Sequence, residues 1–391
     1  MRGALAMPPS KPTITPVRLL PLVFLALTGP LLAGEATYPL WDGQESVADY
    51  AKRVNLPPTQ TLDLGNNVKL DLVLIPAGKF MMGTPEPTPV DEDGFRRKII
   101  TGQALLALSG GVLLVILAVV IIRAVRKKRR PQLSLRLLLL VTAAAGGCVL
   151  SGLHWRQSAR GLEAARVEYA AALTRYKAAE DNEKPAHSVT LTKPCYMGKF
   201  PVTQQAYERV IGFLPPTLGL FCGHYDWPVG AVSWDEAQAF CKKLTEQTKQ
   251  TVRLPTEAEW EFACRAGTTT TYYSGDTEAD LARVAWYSAN SKGTLHPVGQ
   301  KVPNAFGLYD MHGNVWQWCE DWYWRDYYGK SEVENPQGPT QGSYRVLRGG
   351  AFDYYPMECR SANRVAVDPR GPYGDFFIGF RVVVEPASRP P

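Results

Sequence analysis

Seven cysteines, five histidines and a run of aromatic and charged side chains near the C-terminus are the residues of this 391-residue chain that could do chemistry. The histidines (His154, His187, His224, His296 and His312) are dispersed rather than clustered. Gly329-Lys330-Ser331 lacks the earlier glycine of a phosphate-binding loop. Neither a nucleophile elbow nor a carboxylate pair is recognisable. The thiols are Cys148, Cys195, Cys222, Cys241, Cys264, Cys319 and Cys359. Recognition is the other chemistry on offer. Phe352, Asp353, Tyr354, Tyr355, Arg364, Asp368, Arg370, Tyr373, Asp375, Phe376 and Phe377 follow one another closely. Tyr and Arg in mixed polar company are frequent anchors of binding surfaces. The alternative is that half of these aromatics are core.

The stretch that must position such groups is 304–322, NAFGLYDMHGNVWQWCEDW. It is too rich in Gly and Asn for a helix and too aromatic for a flexible loop, so it predicts a structured interior loop. Asn304, Gly307, Gly313 and Asn314 can take left-handed turn angles. Phe306, Leu308, Tyr309, Trp316, Trp318 and Trp322 bring apolar bulk, and side chains or an ion must satisfy the backbone there. Around this stretch, Ser233-Trp-Asp-Glu236 and Thr256-Glu-Ala-Glu259 are capping boxes. They predict helices over 233–247 and 256–266, the second stopped at Gly267. Thr203 is an N-cap for a helix through Val210, and a short helix is expected over 44–53. Residues 188–191 read as a strand. Residues 68–83 alternate and turn at 76–78 as a β-hairpin would, and 377–384 read as the last strand.

The length allows one large domain with additions. The net charge of +6 comes largely from a basic run at 123–136, so no nucleic-acid surface is expected. With 34 Gly and 31 Pro the chain is loop-rich without reaching the composition of disorder. Residues 1–34, basic then apolar and ending in Ala33-Gly34, read as a secretory signal peptide, or else as an uncleaved anchor. An exported chain can form disulfides. Residues 99–122 carry no charge over 24 positions, and 137–153 are a second apolar run. They predict two transmembrane helices over 93–154, against the alternative of a buried helical hairpin. The basic connector 123–136 then faces the cytoplasm and both flanks lie outside. Residues 155–183 read as a stalk helix, or as a partner-binding coiled coil. The remaining divisions are an N-terminal segment at 35–67, a globular part in two pieces at 68–92 and 184–385, and a tail at 386–391.

Several motifs in order carry a resemblance: LVLIPAGKFMMG (72–83), VRLPTEAEWEFACRAG (252–267), the 304–322 stretch, YRVLRGGAF (344–352), CRSANR (359–364) and IGFRVV (378–383). The chain resembles the formylglycine-generating enzyme, or sulfatase-modifying factor, family. The resemblance implies an α+β, irregular C-type-lectin-like fold, here interrupted by the expected membrane hairpin. It also implies a copper-binding Cys pair after Gly349-Gly350. Tyr354 stands at the first of those positions and the second has no counterpart, and a phenol does not replace a soft thiolate on Cu(I). By the same resemblance, Cys264 pairs with Cys359 in a disulfide. A structural Ca²⁺ would be held by the Asp310 side chain, the Gly313 and Val315 carbonyls and the Gln317 side chain, oxygen donors that suit it. Gln317 stands where the family has Glu, and the alternative is that Asp310 and Gln317 bond backbone amides. The HxxxHxE spacing of an iron site is missing, so neither copper nor iron is expected. The substrate groove of the enzymes maps onto Phe352, Asp353, Tyr354, Tyr355, Arg364, Arg370, Tyr373 and Phe376.

The expectation is therefore a bacterial-type, membrane-tethered, extracytoplasmic domain. It would be a non-catalytic module for a peptide, glycan or partner protein. The alternatives are a divergent formylglycine-generating oxidase or related oxidoreductase, and a purely structural membrane component.

Overall fold

The computed structural model describes residues 38–127 apart from 88, most of 150–173, and 179–387 apart from 371–376. The signal-peptide reading of 1–34 falls outside the described residues. The helices are α1 (Val47–Val54), α2 (Glu92–Lys127), α3 (156–167), α4 (Gln204–Ile211), α5 (Trp234–Thr248), α6 (Glu257–Arg265) and α7 (Glu278–Val284). The strands before the central stretch are β1 (Thr59–Gly65), β2 (Val68–Ile75), β3 (Gly78–Met82), β4 (His187–Leu191), β5 (Cys195–Gly198) and β6 (Val252–Arg253). Those after it are β7 (Trp316–Trp322), β8 (Arg345–Arg348), β9 (Arg364–Val367), β10 (Ile378–Gly379) and β11 (Val383–Val384). Among the described residues they form sheets of order β1-β2-β5-β11-β6, β10-β7-β8-β9 and β3-β4. The architecture is α+β.

Local chemistry explains the helix starts. The Ser233 hydroxyl accepts from the Glu236 amide at 3.2 Å while the Glu236 carboxylate accepts from the Ser233 amide at 2.8 Å. Thr256 and Glu259 repeat the arrangement at 3.2 and 2.9 Å. Thr203 caps α4 through the Ala206 amide. A third box, Thr277 with Asp280, opens α7. Each such cap is worth about 0.5–2 kcal/mol.

Long-range pairing differs from the local reading. Residues 68–83 do not make a hairpin: β2 pairs with β1 and β5, whereas β3 crosses to β4 in another sheet. Likewise 377–384 is two strands. β10 lies parallel to β7 (Ile378 opposite Trp316) and β11 joins β5 and β6. Part of the 304–322 stretch is itself the strand β7.

The second sheet packs on α6 through a buried ionic cluster. Arg364 donates twice to the Glu257 carboxylate, both at 2.7 Å, and Arg348 pairs with Glu261. All four side chains are at most 2% exposed. Arg348 also caps the Ser361 and Asn363 carbonyls at 3.1 and 2.8 Å, so its charge is shared rather than stranded.

The transmembrane hairpin is corrected. The stretch 99–122 lies inside α2, a 36-residue helix that also takes in Glu92, Asp93, Arg96, Arg97 and Lys98 at one end and Arg123, Arg126 and Lys127 at the other. Among the described residues no helix is long and apolar enough to cross a membrane. Connector positions 128–136 and most of 137–153 fall outside the described residues. The membrane as a partner, the extracytoplasmic placement and the cytoplasmic connector depended on those spans and are withdrawn with them. α3 lies against the start of α2, with Arg166 2.9 Å from Glu92.

Candidate functional site

The irregular part of the central stretch, 304–315, is a knot of buried side-chain hydrogen bonds. Gly307, Asp310, Gly313 and Asn314 have φ of 85°, 51°, 69° and 64°, left-handed values that reverse the chain. Gly313 is required for a second reason: a Cβ there would sit 2.1 Å from the Trp286 carbonyl oxygen. Asn304 Oδ1 accepts from the Phe306 and Leu308 amides, and its Nδ2 donates to the Ala263 and Cys264 carbonyls at 2.6 and 3.0 Å. Asn314 reaches His296 in the same double fashion.

At the centre lies Arg381, fully buried. It donates to Gly198 O at 2.6 Å, Tyr309 O at 2.8 Å and Gln317 Oε1 at 2.7 Å. Burial lowers its pKa to about 10. Gln317 Oε1 also accepts from Trp260 Nε1 at 2.9 Å, while Gln317 Nε2 donates to Asp310 O at 2.7 Å. The Asp310 carboxylate accepts from the Gly299 amide at 2.8 Å. Burial raises its pKa.

These contacts bear on calcium. Of the expected ligands, Asp310 and Gln317 have their oxygens engaged by N–H donors. A guanidinium already supplies positive charge among the same atoms, so a divalent ion would be placed beside a buried cation. The donor set as built does not fit Ca²⁺.

The cysteines among the described residues are all free thiols. Cys264 and Cys359, expected as a disulfide, are both buried free thiols. Cys264 Sγ instead lies 3.8 Å from His312 Nε2 and 3.8 Å from Ser361 Oγ. Burial pushes Cys264 up to about 12 and holds His312 down to about 3, so neither carries charge at neutral pH. A Cys–His couple needs a thiolate to be nucleophilic, and burial here disfavours the charged form of both groups. Cys359 sits against Gly350, where a Cβ would come within 2.5 Å of its sulfur. Cys195, Cys241 and Cys319 are buried and Cys222 is exposed.

The groove residues divide. Phe352 is 2% exposed and edge-on to Phe377 at 4.7 Å, and Arg364 is the 1% exposed partner of Glu257. Both are interior, a correction to their assignment as binding residues: one fills an apolar gap and the other balances a buried carboxylate. Asp353 and Tyr355 are exposed, Tyr355 at 68%, and Tyr354 is half-buried, edge-on to Trp316 at 5.2 Å. Exposed Arg370 bonds Asp368 at 2.7 Å and holds that carboxyl down to about 2. Tyr373 and Phe376 fall outside the described residues. The structure adds residues the sequence did not single out. Trp227 packs on the cluster of Leu295, Val315 and Phe352. Trp286 stacks on His296 at 3.7 Å with Lys301 Nζ 3.8 Å from its ring. No motif marks them; only their aromatic character was a signal.

This fold is shared with solved structures. Treponema denticola variable protein 1 aligns with a TM-score of 0.55 at 23% identity, covering 84% of this chain and 100% of that one. PvdO from Pseudomonas aeruginosa aligns at 0.54 and 21%, covering 84% and 99%. At these identities the likeness is one of fold. Residues 163–386 match the family described as sulfatase-modifying factor enzyme 1-like domain, and the chain belongs to that family. A protein named formylglycine-generating enzyme from Streptomyces coelicolor is 35% identical over 174 residues, 41% of this chain and 53% of its own length. A protein named serine/threonine-protein kinase pkn1 from Chlamydia pneumoniae is 39% identical over 149 residues, 38% of this chain and 22% of its own length. The matched part is thus about half or less of these relatives.

Proposed function

We propose that this domain is a recognition module of the sulfatase-modifying-factor family that presents the segment 353–358 to a polypeptide ligand and performs no copper–thiolate oxidation. The observation that carries the reading is Tyr354. Where the resemblance implies a catalytic cysteine, the chain has a phenol whose ring packs on Trp316 and whose carbonyl is fixed by the Ser288 amide at 3.0 Å. The one thiol within 351–359 is Cys359, which faces the interior. A soft monovalent copper site needs sulfur donors, and those present beside this segment do not fit it. The match to a small part of a kinase-named protein supports a use of such domains outside formylglycine formation. The second reading, a divergent oxidase, is favoured by the identity to the Streptomyces enzyme.

Cu(I) titration of the full chain against a chromophoric competitor separates the two, with Cys222→Ser as the control for the exposed thiol. The recognition reading expects no tight site in either protein. Tight stoichiometric binding that persists in Cys222→Ser overturns it.

A further inference from the structure

A cavity of about 250 Å³ lies between 83–87, the loop 269–271 and Arg360, whose Nε donates to the Met357 carbonyl of the segment 353–358. It sits where the chain leaves the domain after β3 and returns before β4: the Thr84 amide donates to the Glu183 carbonyl across that junction. Arg265 and Arg360 both line it, at 7% and 8% exposure. Neither is spent. Arg265 commits three N–H groups, to Glu261, Thr270 O and Gly83 O. Arg360 commits three, to Met357 O and to both oxygens of Glu183 at 2.6 and 2.7 Å. A guanidinium has five N–H donors, so each has two beyond these bonds.

We propose that this cavity binds a small carboxylate, either a short organic acid or the side chain of an acidic peptide. Three features select that chemistry. On each guanidinium the uncommitted hydrogens lie one on Nη1 and one on Nη2, and charged N–H donors of this kind favour a carboxylate oxygen as acceptor. Each arginine is already faced by a buried glutamate, so the wall offers little surplus charge, which suits a monoanionic head better than a phosphate dianion. Finally, Pro85, Pro87 and Ala362 give an apolar side for a few methylenes, and Thr269 gives a hydroxyl, those of Thr270 and Thr271 being donated to Tyr272 O and Asp276. The volume corresponds to roughly eight waters at about 30 Å³ each, enough for a four- or five-carbon acid.

Calorimetric titration of the full chain tests this with four probes: glutarate, its neutral diamide, inorganic phosphate and an N-acetylated Glu-containing peptide amide. Saturable binding of glutarate or the peptide, at least tenfold tighter than the diamide and phosphate, is expected; which of the two binds identifies the source of the carboxylate. Thr269→Trp, at an exposed rim position that leaves both arginines intact, should weaken binding at least tenfold. Glu86→Gln, which removes a rim negative charge, should strengthen it two- to fivefold. The proposal is overturned if the diamide binds as well as glutarate, if phosphate binds more tightly than either acid, or if neither acid binds to a chain whose circular dichroism is native. It stands or falls independently of the copper titration.

Discussion

Residues 304–315 and 353–358 are both irregular and both bonded by side chains to their backbone, yet they differ in what they expose. In the first, Asn304 and Asn314 are buried and bond backbone groups, buried Gln317 joins Asp310 O to Trp260 and Arg381, and Arg381 ties three separate segments together. In the second, main-chain bonds such as Ser288 N to Tyr354 O are joined by donors from the Tyr272, Arg360 and Asn363 side chains to the Pro356, Met357 and Glu358 carbonyls, yet Tyr355 and Met357 project at 68% and 52% exposure. Buried irregular backbone must have its polar groups met from within, whereas an exposed loop is met by water and is free to vary. A rigid knot that carries a projecting loop is a common way to build a site. The contrast places the buried hydrogen bonding in the first region and the exposed side chains in the second, the segment proposed above for recognition.

The largest effect should come from the knot. Arg381→Met keeps an unbranched stem but leaves Gln317 Oε1 and the Gly198 and Tyr309 carbonyls short of a donor, and should cost about 3–5 kcal/mol in urea unfolding. A loss under 1 kcal/mol would remove the distinction between the two regions.

A pH effect comes next. Asp321 is buried beside the Glu257 carboxylate and accepts from the Glu257 amide at 2.7 Å; burial first, then that neighbouring charge, raises it from 3.8 to about 8. The folded state therefore holds this proton more tightly than the unfolded chain. Its stabilisation is full below 3.8 and drains away as pH rises through about 8. Denaturation midpoints between pH 5 and 9 should fall more steeply for the native chain than for Asp321→Asn, and parallel curves would contradict the assignment.

The smallest effect belongs to the exposed loop. Tyr355→Ala should change stability by no more than about 0.5 kcal/mol. A larger loss would make Tyr355 a packing residue rather than one held out for a ligand.

How much of this was legible in the sequence depended on the range of the interaction. The capping boxes at Ser233 and Thr256 close within three residues, so their helices could be read directly. Pairings that close over long distances could not. β7 hides in an aromatic stretch because its residues 316–319 are all buried and the alternation that marks a half-exposed strand is lost. β2 and β3 look like a hairpin, and only their partners β5 and β4, more than a hundred residues on, pull them into different sheets. The candidate site was half legible. Position after Gly349-Gly350 identified Tyr354, but sequence adjacency could not show that Arg364 turns inward to Glu257 while Arg370 turns outward to Asp368. Arg265 and Arg360 were invisible as a pair, since 95 residues separate them. Nor did the apolar run 99–122 disclose that its helix extends into charged turns at both ends.

The most direct test of the central claim is mass spectrometry of a sulfatase-motif peptide incubated with the full chain, Cu(I), a thiol reductant and oxygen. A recognition domain leaves the peptide's cysteine unchanged, with no aldehyde trapped by a hydrazide probe. Aldehyde formed in proportion to the protein, and abolished when copper is chelated, would show that this chain oxidises cysteine after all.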